Sequence, residues 1–148
     1  MTDGIDHKIL DELIQNSRES FRNIAHRIGV STVTVMKHVK KLEKEKIIKG
    51  YSTQVDYEKL GYDIDVIVNV KIAHGRFAEV HESLKNNPNI LAIYDVTGDF
   101  DALIIAKFKK RRILDAFLKK LQTLQNVERT NTVVILRVFE KKGLEISQ

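Results

Sequence analysis

The sequence of 148 residues has no cysteine, a single proline and only seven glycines. The lack of cysteine excludes disulfides and thiolate-ligated metal centres. With so little proline and glycine, no low-complexity segment or flexible linker is predicted. No run of 18 apolar residues occurs, so no membrane-spanning segment is predicted. The first residues lack a basic start followed by an apolar run, so we expect no secretory signal and a cytoplasmic location.

The composition that remains is typical of a folded domain with an anionic partner. Hydrophobic residues make up 43% of the chain and charged residues 30%, which is enough for a packed core with a charged surface. The net charge is +5 and the pI is about 9.4. A basic balance of this kind favours a nucleic-acid partner.

The first third of the chain follows a helical period. Ile9 and Leu13 fall on one face of a predicted first helix. Ser20 is the expected N-cap of a second, short helix, and Gly29 suits the left-handed residue that ends it. Two helices joined by a tight glycine-containing turn, with another helix packed beneath, form a helix-turn-helix.

The third helix is predicted to start at a Ser31 N-cap and to leave mostly polar side chains outward. Residues 18–50 contain nine basic and three acidic side chains, a local net charge of +6. Hydroxyls at a helix start can bond a base edge or a phosphate, and basic side chains can meet phosphates. The residues predicted to contact DNA are Arg18, Ser20, Arg22, Ser31, Thr32, Thr34, Lys37, His38 and Lys41.

An alternative for the same helix is a solvated, charged surface with no partner. The third helix also lacks arginine and asparagine, the side chains that bond bases in bidentate fashion, so we expect a modest sequence preference on DNA. The next segment, IIKGYSTQV (47–55), is predicted as two short strands about Gly50, either a small wing or a connection.

The second half of the chain changes to a period of two. Val66, Val68 and Val70 alternate along a predicted strand, and two helical stretches then alternate with three further strands. The order β-α-β-β-α-β is the ferredoxin-like arrangement, with helices on one sheet face. The predicted fold class is α+β: an N-terminal winged helix-turn-helix in residues 1–60 and a ferredoxin-like domain in residues 61–148.

The sheet face without helices is predicted to be apolar as well. A single-layer sheet with apolar residues on its uncovered face favours a partner, and we expect a homodimer through that face. The side chains on it are Ile67, Leu103, Ile105, Val133 and Ile135.

Three aspartates lie near Gly98 at a predicted hairpin turn. Paired carboxylates suit acid–base chemistry or a metal, but the spacing of Asp95, Asp99 and Asp101 matches no EF-hand loop. A simple turn explains the same residues, with glycine for positive φ and aspartate for local hydrogen bonds. Because the five histidines are scattered and no nucleophile or phosphate-binding motif occurs, we predict neither an enzyme nor a metal site nor a cofactor.

Three stretches carry a resemblance to a known family. Residues 5–51 resemble the helix-turn-helix of the Lrp/AsnC (feast/famine) regulators, 60–72 resemble the entry to their regulatory domain, and VTGDFDALI (96–104) resembles their β2–β3 turn. The order and spacing of the three stretches extend the resemblance over the whole chain. One position departs from the pattern, because His38 stands where the family more often has arginine.

The resemblance implies a prokaryotic transcription regulator that binds double-stranded DNA as a dimer or larger assembly, such as an octamer. It also implies an amino-acid effector between neighbouring dimers, with carboxylates for its ammonium group and backbone N–H groups for its carboxylate. The effector residues expected on this basis are Ala73, His74, Gly75, Arg76, Gly98, Asp99, Phe100, Asp101, Thr130 and Thr132.

Two other functions remain open at the level of the sequence. An architectural DNA-packaging protein would bind duplex with weak sequence preference and would not respond to an effector. A stand-alone amino-acid sensor would bind the ligand without binding duplex.

Overall fold

Hydroxyl and carboxylate side chains start the first three helices; the caps Ser20 and Ser31 were predicted, and Asp3 was not. The computed structural model describes all residues from Met1 to Gln148. Helices α1 (Gly4–Gln15), α2 (Phe21–Ile28) and α3 (Thr32–Lys44) have Asp3, Ser20 and Ser31 as their N-caps, and each cap accepts a backbone N–H from the first turn. Gly29 ends α2 in the left-handed region at φ 77°.

The three helices share one small core. Ile9 and Leu13 of α1 pack with Ile24 of α2 and with Val35 and Val39 of α3, and all five side chains are buried. This inward stripe fixes which side of α3 is free to face a partner.

The segment after α3 forms no strand. Lys46 adopts φ 58°, and the N–H groups of Ile47 and Ile48 both bond the carbonyl of Leu42, which closes the helix. Residues 49–56 continue without a ladder partner, and no strand precedes Ile64. The two predicted wing strands are therefore absent, and the segment is the connection that the sequence left as an alternative.

The remaining elements follow the predicted β-α-β-β-α-β order. They are β1 (Ile64–Ile72), α4 (Phe77–Leu84), β2 (Ile90–Asp95), β3 (Ala102–Phe108), α5 (Arg111–Gln122) and β4 (Val127–Val134). The four strands form one antiparallel sheet in the order β2-β3-β1-β4, with β1 and β3 at its centre. The α+β, ferredoxin-like fold class is confirmed.

One face of this sheet carries the main core. Buried side chains of β1 and β3 pack against Val80 and Leu84 of α4 and against Phe117 and Leu121 of α5. No helix of this part of the chain covers the opposite face, where Ile67 lies opposite both Ile105 and Val133. On this face Val133 is exposed and the other predicted residues, Ile67, Leu103, Ile105 and Ile135, are half-buried.

The chain divides into two compact units, which are Met1–Gln54 with Glu140–Gln148, and Val55–Phe139. The predicted division at residue 60 does not anticipate that the last nine residues lie with the helix-turn-helix. Asp11 of α1 holds them there by accepting the N–H groups of Ile146 at 2.6 Å and Ser147 at 3.0 Å. No helix is both long enough and apolar enough to cross a bilayer.

Candidate DNA-binding surface and effector region

The hydroxyls at the start of α3 are first of all capping groups. Oγ of Ser31 accepts the N–H of Thr34 at 3.1 Å and lies 2.8 Å from Oγ1 of the same residue. Ser20 caps α2 in the same way, through the N–H of Asn23. Thr32 is exposed and forms no side-chain hydrogen bond within the protein, so its hydroxyl is free to bond a partner.

The outward side of α3 carries three exposed lysines. Val33, Lys37, Lys40 and Lys44 are exposed and spaced at three to four residues, opposite the buried Val35 and Val39. The ion pairs on α2 and α3 involve Arg27, His38 and Lys41 instead. The three outward lysines are therefore free to meet an anion.

His38 and Lys41 of α3 are engaged within the protein. Nδ1 of His38 lies 2.7 Å from Oδ1 of Asp6, and Nζ of Lys41 lies 2.8 Å from Oδ2 of the same carboxylate. Burial of Asp6 raises its pKa, but the bonds from Lys41, His38 and the Asp3 backbone outweigh burial and bring the pKa to about 2. Both partners thus bind α1, and their predicted role on DNA stays a prediction.

The carboxylates of Asp3 and Asp6 and the ring of His38 converge within 4.8 Å of one another, a spacing that metal sites also show. Both oxygens of Asp6 are occupied by cationic or N–H partners, and the ammonium of Lys41 would repel a second cation. The donor set fits an ion-pair network better than a metal centre.

Of the three arginines around α2, one is ion-paired within the protein and two are not. Arg18 and Arg22 are exposed and enter none of the ion pairs of this region. Arg27 instead bonds Glu12 and Glu19, and these bonds raise the pKa of its guanidinium. Arg18 and Arg22 therefore keep their predicted availability for the phosphate strand that α2 would cross.

Two apolar side chains on the outward side of α3 were not among the predicted DNA contacts. Val33 is 58% exposed and Met36 is 52% exposed. The signal was present, because burial of Val35 and Val39 at helical spacing leaves these two positions outside.

Two turns of the second unit meet at one end of the sheet. The turn after β1 contains Ala73, His74, Gly75 and Arg76, and the turn before β3 contains Gly98, Asp99, Phe100 and Asp101. The carboxylate of Asp101 joins them by accepting the N–H of Ile72 at 2.8 Å and lying 3.3 Å from Nζ of Lys71. These partners, the Ile72 N–H first, lower the pKa of Asp101, and the charge of His74 adds a smaller contribution.

Some side chains of these turns already have a partner within the protein, and others do not. Asp99 is exposed and makes no ion pair or hydrogen bond, whereas Asp101 is occupied. Arg76 bonds Glu79 at 2.6 Å, and Phe100 lies 4.8 Å from the guanidinium of Arg129. Each turn requires a residue with positive φ, which glycine adopts readily: φ is 74° at Gly75 and 112° at Gly98.

Thr130 and Thr132 lie on the helix-covered sheet face. They are register partners of Val70 and Val68, and Oγ1 of Thr130 accepts from Gln122 of α5. Arg129, the register partner of Lys71, lies on the opposite face. Lys71 and Arg129 were not among the predicted effector residues, because strand alternation alone does not show that they lie beside these turns.

Comparisons with known proteins agree with this two-part organisation. Residues 2–49 match the family model described as winged helix-turn-helix DNA-binding, and residues 65–144 match the Lrp/AsnC ligand binding domain. An HTH-type transcriptional regulator of Pyrococcus abyssi is 36% identical over 95% of this chain and 96% of its own length.

Solved structures repeat the fold. LrpC of B. subtilis superposes with a TM-score of 0.86 at 27% identity, over 96% of this chain and 99% of LrpC. A Neisseria meningitidis transcriptional regulator in complex with L-Met superposes with a TM-score of 0.90 at 22% identity, over 96% of this chain and 94% of that one. The latter similarity concerns the fold alone.

A capped helix-turn-helix with a basic outward helix, followed by a β-α-β-β-α-β unit, defines a DNA-binding transcriptional regulator. The chain belongs to the Lrp/AsnC family of these regulators. The prediction that it is not an enzyme is confirmed by the same comparisons, since its relatives are named as transcriptional regulators.

Proposed function

We propose that the protein binds double-stranded DNA as a homodimer or larger assembly through α2 and α3, and that an amino acid bound in the second unit changes this binding. The observation that supports the DNA interface best is the outward side of α3, where Lys37, Lys40 and Lys44 are exposed and unpaired. Arg18 and Arg22, with the hydroxyls of Ser20, Ser31, Thr32 and Thr34, complete the proposed surface. We assign His38 and Lys41 to holding α3 through Asp6.

The DNA interface is tested by titrating the protein into a duplex from the region upstream of its own coding sequence at several salt concentrations. Each phosphate neutralised by a lysine or arginine lowers the logarithmic salt slope by about 0.9. We expect a steep slope for the wild type and a shallower slope for Lys37→Ala with Lys40→Ala. A protein that binds no duplex at low salt would leave only the stand-alone sensor.

The proposed effector region is the pair of turns joined by Asp101. Asp99 supplies an exposed, unpaired carboxylate for an α-ammonium group. Arg129 lies on the neighbouring sheet face as a cation for a carboxylate, beside Lys71, which is paired with Asp101. The match to a ligand binding domain supports this assignment, as does the fold shared with a regulator whose complex contains L-Met.

Assembly is proposed through the uncovered sheet face. Ile67, Ile105 and Val133 lie side by side in register there, and Val133 remains 46% exposed. An apolar sheet face of this kind is typical of an interface between copies of one chain. Light scattering at micromolar concentration tests it, and a monomer would contradict the assembly and the effector site between dimers.

A thermal-shift screen of the twenty amino acids, with and without the duplex, tests the effector. A ligand that binds the folded state alone stabilises it by RT ln(1 + [L]/Kd). We expect one or two amino acids to raise the melting temperature of the wild type and to lose the effect in Asp99→Ala. Asp63→Ala, which removes another exposed aspartate, is the matched control and should keep it.

The same screen distinguishes an effector-responsive regulator from an architectural DNA-packaging protein. A protein that shifts with duplex but with no amino acid, and that covers DNA in proportion to its concentration, would be a packaging protein. The absence of arginine and asparagine from α3 is the observation that favours this second function.

A further inference from the structure

Two large apolar side chains lie in the first two turns of the outward side of α3. Val33 and Met36 are 58% and 52% exposed, and neither belongs to the core of the helix-turn-helix. Lys37 and Lys40 lie beside them on the same side of the helix. Val33 and Met36 therefore form the apolar part of the surface that α3 would offer to DNA.

Few polar groups of α3 are free to bond base edges. Ser31 and Thr34 bond each other, which leaves the hydroxyl of Thr32, and the exposed lysines suit phosphates because they are flexible point charges. Val33 and Met36 are the side chains on this surface suited to an apolar group on a base edge. The apolar group that bases present in the major groove is the C5-methyl of thymine.

We infer that Val33 and Met36 contact thymine methyl groups and so determine part of the DNA sequence preference. The inference rests on the proposed DNA-binding function and goes beyond it by assigning A·T pairs to the positions these residues reach. Residues at i and i+3 of a helix have Cβ atoms about 5–6 Å apart, and bases of one strand are about 3.4 Å apart. The pair therefore covers two adjacent base steps.

The test compares two versions of one duplex from the region upstream of the protein's own coding sequence. One version contains thymine, and the other contains uracil at every thymine position. Uracil lacks only the methyl group, so the backbone charge and the hydrogen-bonding edges stay the same. Burial of one methyl-sized group corresponds to about a fourfold change in affinity. We expect the wild type to bind the uracil duplex at least about fourfold more weakly.

The variants Val33→Ala and Met36→Ala should bind the thymine duplex more weakly than the wild type and discriminate less between the two duplexes. Lys37→Ala is the matched control on the same side of the helix. It should bind both duplexes more weakly by the same factor and keep the wild-type ratio. Because all three side chains are exposed, their thermal unfolding should match the wild type and exclude misfolding as the cause.

Equal affinity of the wild type for the two duplexes would overturn the inference. An unchanged ratio in both alanine variants would overturn it too, because the methyl effect would then come from DNA shape. Salt-dependent binding would persist in either case, and the DNA-binding function would stand. A wild type that binds neither duplex at low salt would overturn both the function and the inference.

Discussion

Nδ1 of His38 lies 2.7 Å from Oδ1 of Asp6, a carboxylate with no solvent exposure. With a pKa of about 2, Asp6 is ionised at neutral pH and only accepts, so the imidazole nitrogen donates. Lys41 bonds the second oxygen of the same carboxylate. One residue of α1 thus fixes two successive turns of α3 and with them the direction in which the basic side faces.

Removal of Asp6 should strongly destabilise the helix-turn-helix. Asp6→Ala leaves His38 and Lys41 without their shared acceptor, and because both of these side chains are partly exposed we expect a cost of about 1–3 kcal/mol. Urea unfolding followed by circular dichroism measures the change. The control is Asp115→Ala, which breaks an exposed pair with Lys119 and should therefore change the stability much less. A similar, small loss in both variants would contradict a structural role for Asp6.

Stability should fall in acid because of the same carboxylate. Its pKa is about 2 in the folded protein against an ordinary 3.8, so the folded state binds this proton less readily. The stabilisation is present above about pH 4 and is lost as the pH falls towards 2, and it amounts to about 2 kcal/mol. Urea unfolding across this pH range gives the free energy of unfolding of the wild type and of Asp6→Asn. The difference between the two values should shrink by that amount as the pH falls. A constant difference would contradict the lowered pKa.

Lys37 and Lys41 should differ on DNA although both lie on α3. Lys37→Ala removes an exposed, unpaired ammonium, and the logarithmic salt slope of duplex binding should become shallower by about 0.9 for each protomer bound. Lys41→Ala removes a group already paired with Asp6, so the slope should hardly change while unfolding occurs at lower urea concentration. Equal changes in slope would show that Lys41 leaves Asp6 to contact phosphate.

The parts of the fold that depend on neighbours in sequence were predictable. Ser20, Ser31 and Gly29 start and end helices because capping is decided within one turn. Alternation of Val66, Val68 and Val70 was enough to give the covered face of β1, since side chains alternate along any strand.

The parts that depend on distant partners were not predictable. Asp6 is buried because of His38 and Lys41, which lie 32 and 35 residues further along the chain. Residues 47–55 have the composition of strands but find no ladder partner, and a strand exists only when paired. The predicted effector residues cover both turns, while the cations beside them, Lys71 and Arg129, are visible only once the register is known.

The C-terminal segment should loosen when Gly143 gains a side chain. A Cβ at Gly143 would overlap Cγ2 of Ile14, whose β-branched side chain has few alternative rotamers. We expect Gly143→Ala to weaken the contact of Asp11 with Ile146 and Ser147, and amide hydrogen exchange at those two residues measures it. Gly50→Ala is the matched control, because nothing lies near its added Cβ. Equal protection in both variants would contradict the packing of this segment on α1.

Lys46, just after α3, holds a left-handed backbone at φ 58° with a full side chain. An L-residue in that region costs about 1–2 kcal/mol relative to a relaxed backbone, while glycine adopts it freely. Lys46→Gly should therefore raise the melting temperature, a rare outcome for a substitution that adds glycine. The protein is thus less stable than its fold allows, and one amino-acid substitution would make it more heat-resistant.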